Sequence, residues 1–174
     1  MSDSQSGFRI EPLGDHDRAA FSCGVEALDR YLREQAGQDA RRKAAMPFVL
    51  VTGENRIAGY YTLSANIILA KDLSAEMVKK LKWPRYPKLP VTLIGCLARD
   101  SAFRGQGIGE LLLMDALKRV LRTSAQVASL AVVVDAKDDE AWRFYGRYGF
   151  LSFPDERKRL YLPMKTVEKL FPHE

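Results

Sequence analysis

Apolar residues recur along the chain in two alternating patterns, which together predict a mixed fold of strands and helices. Clusters of β-branched and aromatic residues between turn residues indicate strands, and apolar residues that return every three to four positions indicate helices. The predicted strands cover residues 8–13, 48–52, 57–69, 91–98, 129–134 and 159–164. The predicted helices cover residues 25–37, 75–82, 107–122 and 138–148. The chain therefore belongs to the α/β (α+β) class.

Turn and cap residues fix several boundaries of these elements. Residues 53–55 read Gly-Glu-Asn, which is hairpin chemistry and predicts that the flanking strands are antiparallel. Residues 83–90 contain three prolines, which cannot continue a helix and predict a rigid surface loop. Ser74 and Asp138 are predicted N-caps, and Gly149 is predicted to end the last helix.

The length and composition are those of one folded domain. A chain of 174 residues suits a single core, so residues 1–174 are predicted to form one domain. No window holds the roughly 18 consecutive apolar residues of a membrane span, and residues 1–7 do not have the layout of a signal peptide. We therefore expect a cytoplasmic protein.

The cysteines and histidines do not point to a disulfide framework or a metal site. Cys23 and Cys96 fit free thiols in a reducing compartment. His16 and His173 lie near opposite ends, and neither joins other ligands at metal-binding spacing. No metal is predicted.

The formal net charge of +5 favours a polyanionic partner, either nucleic acid or a nucleotide cofactor. Basic residues are dense in residues 41–43, 79–88 and 157–159. Each run taken alone is also typical of a solvated face, so charge does not choose between these interpretations.

A glycine-rich segment between a predicted strand and a predicted helix indicates a phosphate site. Residues 104–109 read Arg-Gly-Gln-Gly-Ile-Gly. Glycines let backbone amides approach a phosphate, and the helix dipole adds positive charge at the same place. Neither a P-loop nor a first-strand dinucleotide motif is present, so a pyrophosphate loop of another kind is predicted, against the alternative of a turn used for tight packing.

This segment resembles the Arg/Gln-x-x-Gly-x-Gly/Ala motif of the GNAT acetyltransferases, with Arg104, Gly107 and Gly109 at the defining positions. Residues 138–150 are similar to the family's second signature, Asn-x-x-Ala-x-x-Phe-Tyr-x-x-x-Gly-Phe, with Asp138 in place of the common Asn. The resemblance implies a GNAT fold, with a mixed central sheet of about six to seven strands flanked by helices, and acetyl-CoA as cofactor.

The resemblance also implies roles for individual residues. Residues 94–98 would run along the pantetheine arm, the Leu97 amide would polarise the acetyl carbonyl, and Tyr145 would act as the general acid. A purely structural role remains the alternative for Tyr145, and Cys96 is interpreted as packing because no histidine accompanies it. The implied cofactor-binding residues are Leu97, Ala98, Arg99, Arg104, Gly105, Gln106, Gly107, Ile108, Gly109, Asp138 and Phe144.

No sequence motif indicates a carboxylate that could act as a general base. This absence favours an acceptor whose amine is already partly deprotonated at neutral pH. At pH 7 an α-amine with a pKa near 7.7 is free in roughly a tenth of molecules, whereas a lysine amine near 10.4 is free in less than about a thousandth.

The whole chain is similar to one GNAT branch, the toxins of bacterial toxin–antitoxin pairs, which acetylate the α-amine of aminoacyl-tRNA. The similarity rests on residues 21–32, on the basic and proline-rich residues 79–90, and on residues 160–164. It implies a homodimer and an antitoxin of the ribbon-helix-helix type. With no RNA-binding module in the sequence, tRNA recognition would depend on charge and shape, with candidate residues Arg41, Arg42, Lys79, Lys80, Lys82 and Arg85.

Two other functions remain open. One is a GNAT enzyme that acetylates a polyamine, an antibiotic or a protein amine, which an acidic acceptor cleft would favour. The other is a non-catalytic acyl-CoA-binding regulator, against which the retained Tyr145 argues.

Overall fold

A computed structural model describes residues 7–174. The contacts among its Cα atoms divide the chain into two compact units. The first unit comprises the described residues up to Ser64 together with Gly95–Ala116, and the second comprises Ala65–Ile94 and Leu117–Glu174. The expectation of a single domain stays a prediction.

The described residues form a mixed seven-stranded sheet in the order β1-β2-β3-β4-β5-β7-β6. The pairs β1–β2, β2–β3, β5–β7 and β6–β7 are antiparallel, and β4–β5 is parallel. This confirms the predicted fold class and the predicted hairpin, in which Asn55 takes the positive φ of 62° that suits the turn. The strands are β1 (Arg9–Pro12), β2 (Met46–Val51), β3 (Ile57–Leu69), β4 (Lys88–Arg99), β5 (Ala131–Asp135), β6 (Leu151–Ser152) and β7 (Arg159–Pro163).

The helices agree with the predicted pattern at most positions. Ser74 Oγ accepts the amide of Met77 at 3.1 Å, and so caps α3 as predicted. The helices are α1 (Glu26–Arg30), α2 (Ala36–Arg42), α3 (Ala75–Leu81), α4 (Ile108–Thr123), α5 (Asp139–Arg147) and α6 (Met164–Leu170), with a π-helical turn at Tyr31–Gln35 between α1 and α2.

Three sequence predictions differ from the structure. The helix predicted for residues 25–37 continues to Arg42 and contains the π turn. The loop predicted for residues 83–90 ends earlier, because β4 begins at Lys88 and carries Pro90. The short strand β6 and the helix α6 were not predicted, since two residues carry no periodicity and α6 follows directly on β7.

The core of the first unit includes part of the segment that resembles the toxins. Phe21 is 2 % exposed and Leu32 is fully buried, and both pack in a cluster with Tyr60. Gly24 has a φ of 88°, and the buried Asp29 accepts the amide of Cys23 at 2.9 Å. These residues of the segment therefore hold the fold together through burial and one local hydrogen bond.

The core of the second unit lies around Tyr161, which is 2 % exposed. Phe153 and Trp83 pack their rings on Tyr161, with centroid distances of 5.0 and 6.2 Å. Ala131 and Val133 of β5 belong to the same cluster.

Gly59 of β3 lets α4 lie close to the sheet within the first unit. A Cβ atom at this position would stand 2.7 Å from Leu112 Cδ1, 2.9 Å from the Ala98 carbonyl oxygen and 3.0 Å from Ile108 Cγ2. Any side chain here would therefore push the start of α4 away from the strand.

No helix within residues 7–174 is both long and apolar enough to cross a membrane. Across the same residues, no three His, Cys, Asp or Glu side chains come together in a group that could hold a metal ion.

Candidate active site

The glycine loop, residues 104–107, lies exposed between the short 3₁₀ turn Ser101–Phe103 and α4. Gly105 and Gly107 adopt φ values of 80° and 72°, which residues with a side chain rarely take. No atom lies within 4 Å of a Cβ built on either glycine. The backbone conformation, and not close packing, therefore accounts for Gly105 and Gly107.

The loop leads directly into the N-terminus of α4. The Leu111 amide donates to the Gly107 carbonyl at 3.0 Å as the helix begins, so the amides of the first turn have no partner within the helix. Together with the helix dipole, these amides favour an anion in front of the loop. Ile108 and Ala98 are buried at 0 % and 2 % exposure, so their side chains belong to the core and only their backbone can face a ligand.

Asp100, a residue for which the sequence indicated no role, anchors the turn that leads into the loop. It is 2 % exposed, and its carboxylate accepts the amides of Ala102 at 2.8 Å and Ser22 at 3.0 Å. Arg56 adds an ion pair at 3.6 Å. The Asp-x-Ala spacing before the loop is that of a local side-chain cap, which is the signal that could have revealed this role.

Arg99 supplies a polar group that the described residues leave unsatisfied. Its Nε is buried and has no hydrogen-bond partner among the described residues. Because an unpaired buried donor is costly, such an atom is a candidate for a contact with a ligand. Arg99 precedes the glycine loop in the same unit, and a guanidinium together with the amides of the first turn of α4 is a set of donors that suits a pyrophosphate.

β4 continues five residues beyond its last pair with β5. The parallel register ends at Ile94 and Val134, whereas β4 runs on to Arg99. This end of β4 contains Leu97, which is partly exposed, and leads into the glycine loop. A strand end that has left its neighbour offers backbone groups to an extended ligand.

Cys96, on the same strand, is not arranged as a nucleophile. Its amide donates to Thr62 Oγ1 at 3.0 Å. Burial raises the pKa of the Cys96 thiol, which outweighs the opposing effect of its hydrogen bonds with Thr62 and Tyr60. The thiol therefore stays protonated at neutral pH. Cys23 and Cys96 form no disulfide bond within the described residues.

The second signature forms α5 in the second unit. Asp138 caps the helix, and its Oδ1 accepts the Ala141 amide at 2.8 Å. This bond occupies one carboxylate oxygen and leaves the exposed side chain a second oxygen. Tyr145 is 7 % exposed, and its ring lies between those of Phe144 and Phe150 with both centroids at 5.3 Å. Burial and two ring contacts therefore restrain the Tyr145 ring.

The basic residues predicted for tRNA fall in two places, each at the end of a helix. Arg41 and Arg42 are exposed at the end of α2 in the first unit. In the second unit, Lys79, Lys82 and Arg85 line one open groove of about 1090 Å³ beside α3, which we name the α3 groove. Lys71, which the sequence analysis missed, also lines this groove, whereas Lys80 does not.

A second cavity, of about 280 Å³, carries acidic groups. Asp72, Asp155 and Glu156 line it together with Arg159 and with apolar residues of β3. No sequence pattern indicates this cavity, since its carboxylates come from distant parts of the chain.

The sequence matches the acetyltransferase (GNAT) family over residues 11–150, which is most of the chain. The chain belongs to this family. The predicted resemblance to GNAT acetyltransferases is thereby confirmed, and the glycine loop and α5 are the places in the structure where its two signatures lie.

Relatives of nearly equal length include toxins. The "tRNA-acetylating toxin" of Mycobacterium tuberculosis is 30% identical over 88% of this chain and 90% of its own. A tyrosine-to-phenylalanine variant of KacT has 32% identity and a TM-score of 0.87, with 95% of this chain and 99% of that chain covered. AtaT in complex with acetyl-methionyl-tRNAfMet has 31% identity and a TM-score of 0.85, covering 94% and 99%. A tyrosine-to-phenylalanine variant of the AtaT toxin has also been solved with the C-terminus of the antitoxin AtaR and acetyl-CoA. This GNAT protein is thus related to toxins, as predicted.

Proposed function

We propose that this chain acts as one domain that transfers acetyl from acetyl-CoA to the α-amine of aminoacyl-tRNA, as the toxin of a toxin–antitoxin pair. The observation that carries the proposal is the similarity, over nearly the full length, to a tRNA-acetylating toxin and to AtaT bound to acetyl-methionyl-tRNAfMet. Such a reaction blocks the amine on which translation depends, and its substrate would be met in the cytoplasm.

Acetyl-CoA supplies the activated acetyl thioester when it is bound. The amides of Gly105, Gln106, Gly107, Ile108 and Gly109, with Arg104 and Arg99, would hold its pyrophosphate. The fit is supported by the open glycine positions and by the unsatisfied Arg99 Nε. Ala98 would contribute its backbone, and Asp138 and Phe144 would border the pantetheine arm, as the family resemblance implies.

Two groups would carry the chemistry. The Leu97 amide would donate to the acetyl carbonyl, and a preorganised donor of this kind contributes roughly 3 kcal/mol to acyl transfer. Tyr145 would hold a proton for the departing thiolate, since a phenol with a pKa near 10 stays protonated at neutral pH. Its packed ring would limit the number of orientations the hydroxyl can take.

The partners follow from the same family. We propose that tRNA is recognised through cations, with Lys79, Lys82 and Arg85 of the α3 groove as the main candidates and Lys80, Arg41 and Arg42 as secondary candidates. A homodimer and an antitoxin with a ribbon-helix-helix part are further proposals, supported by the resemblance to the toxin branch.

The test is label transfer from radiolabelled acetyl-CoA to total aminoacylated tRNA. Wild-type protein should label charged tRNA and leave deacylated tRNA unlabelled, and Tyr145→Phe should bind acetyl-CoA yet lose turnover. Full activity of Tyr145→Phe would remove this tyrosine from the mechanism, and absence of label on charged tRNA despite cofactor binding would refute the tRNA substrate.

The acidic cavity supports a second candidate, acetylation of a small cationic amine. Asp72, Asp155 and Glu156 could pair with the ammonium groups of a polyamine, which is the acidic setting that this alternative requires. A panel of polyamines and aminoglycosides in the same label assay separates the two functions, since efficient transfer to these amines without transfer to charged tRNA favours the second.

A further inference from the structure

The α3 groove combines positive charge with exposed aromatic surface. Lys71, Lys79, Lys82 and Arg85 line it, and no carboxylate is among its lining residues. None of these four cations forms an ion pair with any residue in the described part of the chain. The charge of the groove is therefore available to an anionic partner.

Two aromatic residues in the groove differ in what they contact. Trp83 packs on Tyr161 at 6.2 Å and belongs to the second core. Tyr86 is 62% exposed, the largest exposure among the large aromatic residues in the described chain. Packing on the core thus explains why an aromatic residue stands at position 83. The exposed ring of Tyr86 contributes little to the core, so packing does not explain an aromatic residue at position 86.

Prolines restrict the backbone conformation at Tyr86. Pro87 restricts Tyr86 to an extended conformation, and Pro84 has the same effect on Trp83. The Pro87 carbonyl accepts the Ala70 amide at 3.0 Å, which ties the end of the loop to the residues after β3. Because the backbone at Tyr86 is already restricted, less conformational freedom is lost there when a partner binds.

Lys82 occupies a backbone position that favours glycine. It ends α3 with φ 55° and ψ 35°, in the left-handed region. The left-handed conformation is strained for a residue with a side chain, and residues in strained conformations are often found at functional sites. The Lys82 side chain lines the groove, which is consistent with that reasoning.

We propose that the α3 groove binds unpaired nucleic acid, with a base stacked on Tyr86 and the phosphates held by Lys71, Lys79, Lys82 and Arg85. A carboxylate-rich peptide would account for the cations alone, whereas an exposed flat ring beside them also suits a base. The inference rests on the proposed function, because the unpaired 3′ end of a tRNA is the natural occupant. It adds stacking to the charge and shape expected from the sequence.

The experiment measures binding of a fluorescently labelled single-stranded RNA and of the matching duplex, by anisotropy, with no acetyl transfer involved. Tyr86→Ala should weaken binding of the single strand about tenfold and leave the duplex within about twofold, since duplex bases cannot stack on the ring. Tyr86→Phe should retain the affinity, because it keeps the ring.

Lys79→Ala and Lys169→Ala form a matched pair, because each removes an exposed lysine from the last turn of a seven-residue helix, α3 or α6, and Lys169 does not line the groove. Only Lys79→Ala should reduce the slope of log affinity against log salt, by about one phosphate contact. The proposal is overturned if wild-type protein does not bind the single strand, if Tyr86→Ala binds it as wild type does, or if a polyglutamate peptide alone loses affinity in Tyr86→Ala. The label assay on charged tRNA is independent of these outcomes, so failure of the proposed function is recognised separately.

Discussion

The ends of α2 and α3 look alike in sequence and differ in what surrounds them. Each carries adjacent basic residues in its last turn, and each ends on a lysine in the left-handed conformation, Lys43 with φ 59° and Lys82 with φ 55°. Both arrangements place positive charge against the helix dipole, which stabilises a helix whatever its function. Local sequence alone cannot separate a helix end that serves the fold from one that serves a ligand.

The residues around the ends of α2 and α3 distinguish the two helix ends. Asp39 lies within α2, and hydrogen bonds from Gln35 at 2.9 Å and from Tyr31 at 2.8 Å, together with the charge of Arg42, lower the pKa of its carboxyl. The cations at the end of α2 therefore have an acidic group beside them. The lining of the α3 groove has no acidic group. The two helix ends, which are similarly basic in sequence, thus produce different electrostatic potentials around them.

Charge reversal should give the largest difference between the two ends. We expect Lys79→Glu with Lys82→Glu to raise the KM for charged tRNA about 100-fold, because two phosphate contacts become repulsions. Arg41→Glu with Arg42→Glu should raise it about threefold or less. Steady-state label transfer at several salt concentrations measures both, with the KM for acetyl-CoA as the control that should not change. Equal losses in the two double variants would contradict the comparison.

The sequence was sufficient for the elements that a periodicity or a motif defines. The glycine loop, the cap at Asp138 and the amphipathic face of α4 each follow from a few neighbouring residues, and the structure has them where they were predicted. The family could be recognised for the same reason, since its two signatures are local.

Features that depend on distant residues could not be predicted. Gly59 matters because Leu112, Ile108 and the Ala98 carbonyl approach it, and none of these is near it in sequence. Asp100 is buried and accepts the amide of Ser22, which is 78 positions away. Likewise, Lys79 lines the α3 groove and Lys80 does not, which depends on how the loop after α3 folds.

Replacement of the two left-handed lysines should separate stability from binding. Lys43→Gly and Lys82→Gly should each raise the free energy of unfolding by about 0.5–1 kcal/mol, because glycine accepts the left-handed conformation without steric cost. Urea denaturation measures this gain. Only Lys82→Gly should weaken binding of tRNA, by about threefold for one lost phosphate contact. A loss of tRNA affinity in Lys43→Gly as well would show that the end of α2 also contacts the substrate.

The smallest expected effect is a loss of stability at low pH, and it arises from Asp39 in α2. Because the pKa of Asp39 is lowered in the folded state, its ionised form contributes stability that is present above its unfolded value, near 4, and is lost as the pH falls through the folded value. The stability advantage of wild type over Asp39→Asn should therefore shrink as the pH is lowered from about 6 to about 2. Urea denaturation across this range checks the sign.

Tyr31→Phe is the matched variant for this effect, because it removes one hydrogen-bond donor and leaves the Asp39 carboxylate in place. Near neutral pH, the free energy of unfolding of Tyr31→Phe should lie between those of wild type and Asp39→Asn. The difference in stability between wild type and Tyr31→Phe should also shrink as the pH is lowered. If the difference in the free energy of unfolding between wild type and Asp39→Asn stayed constant with pH, the charge of Asp39 would not stabilise the end of α2. The contrast between the two helix ends would then rest on the groove alone.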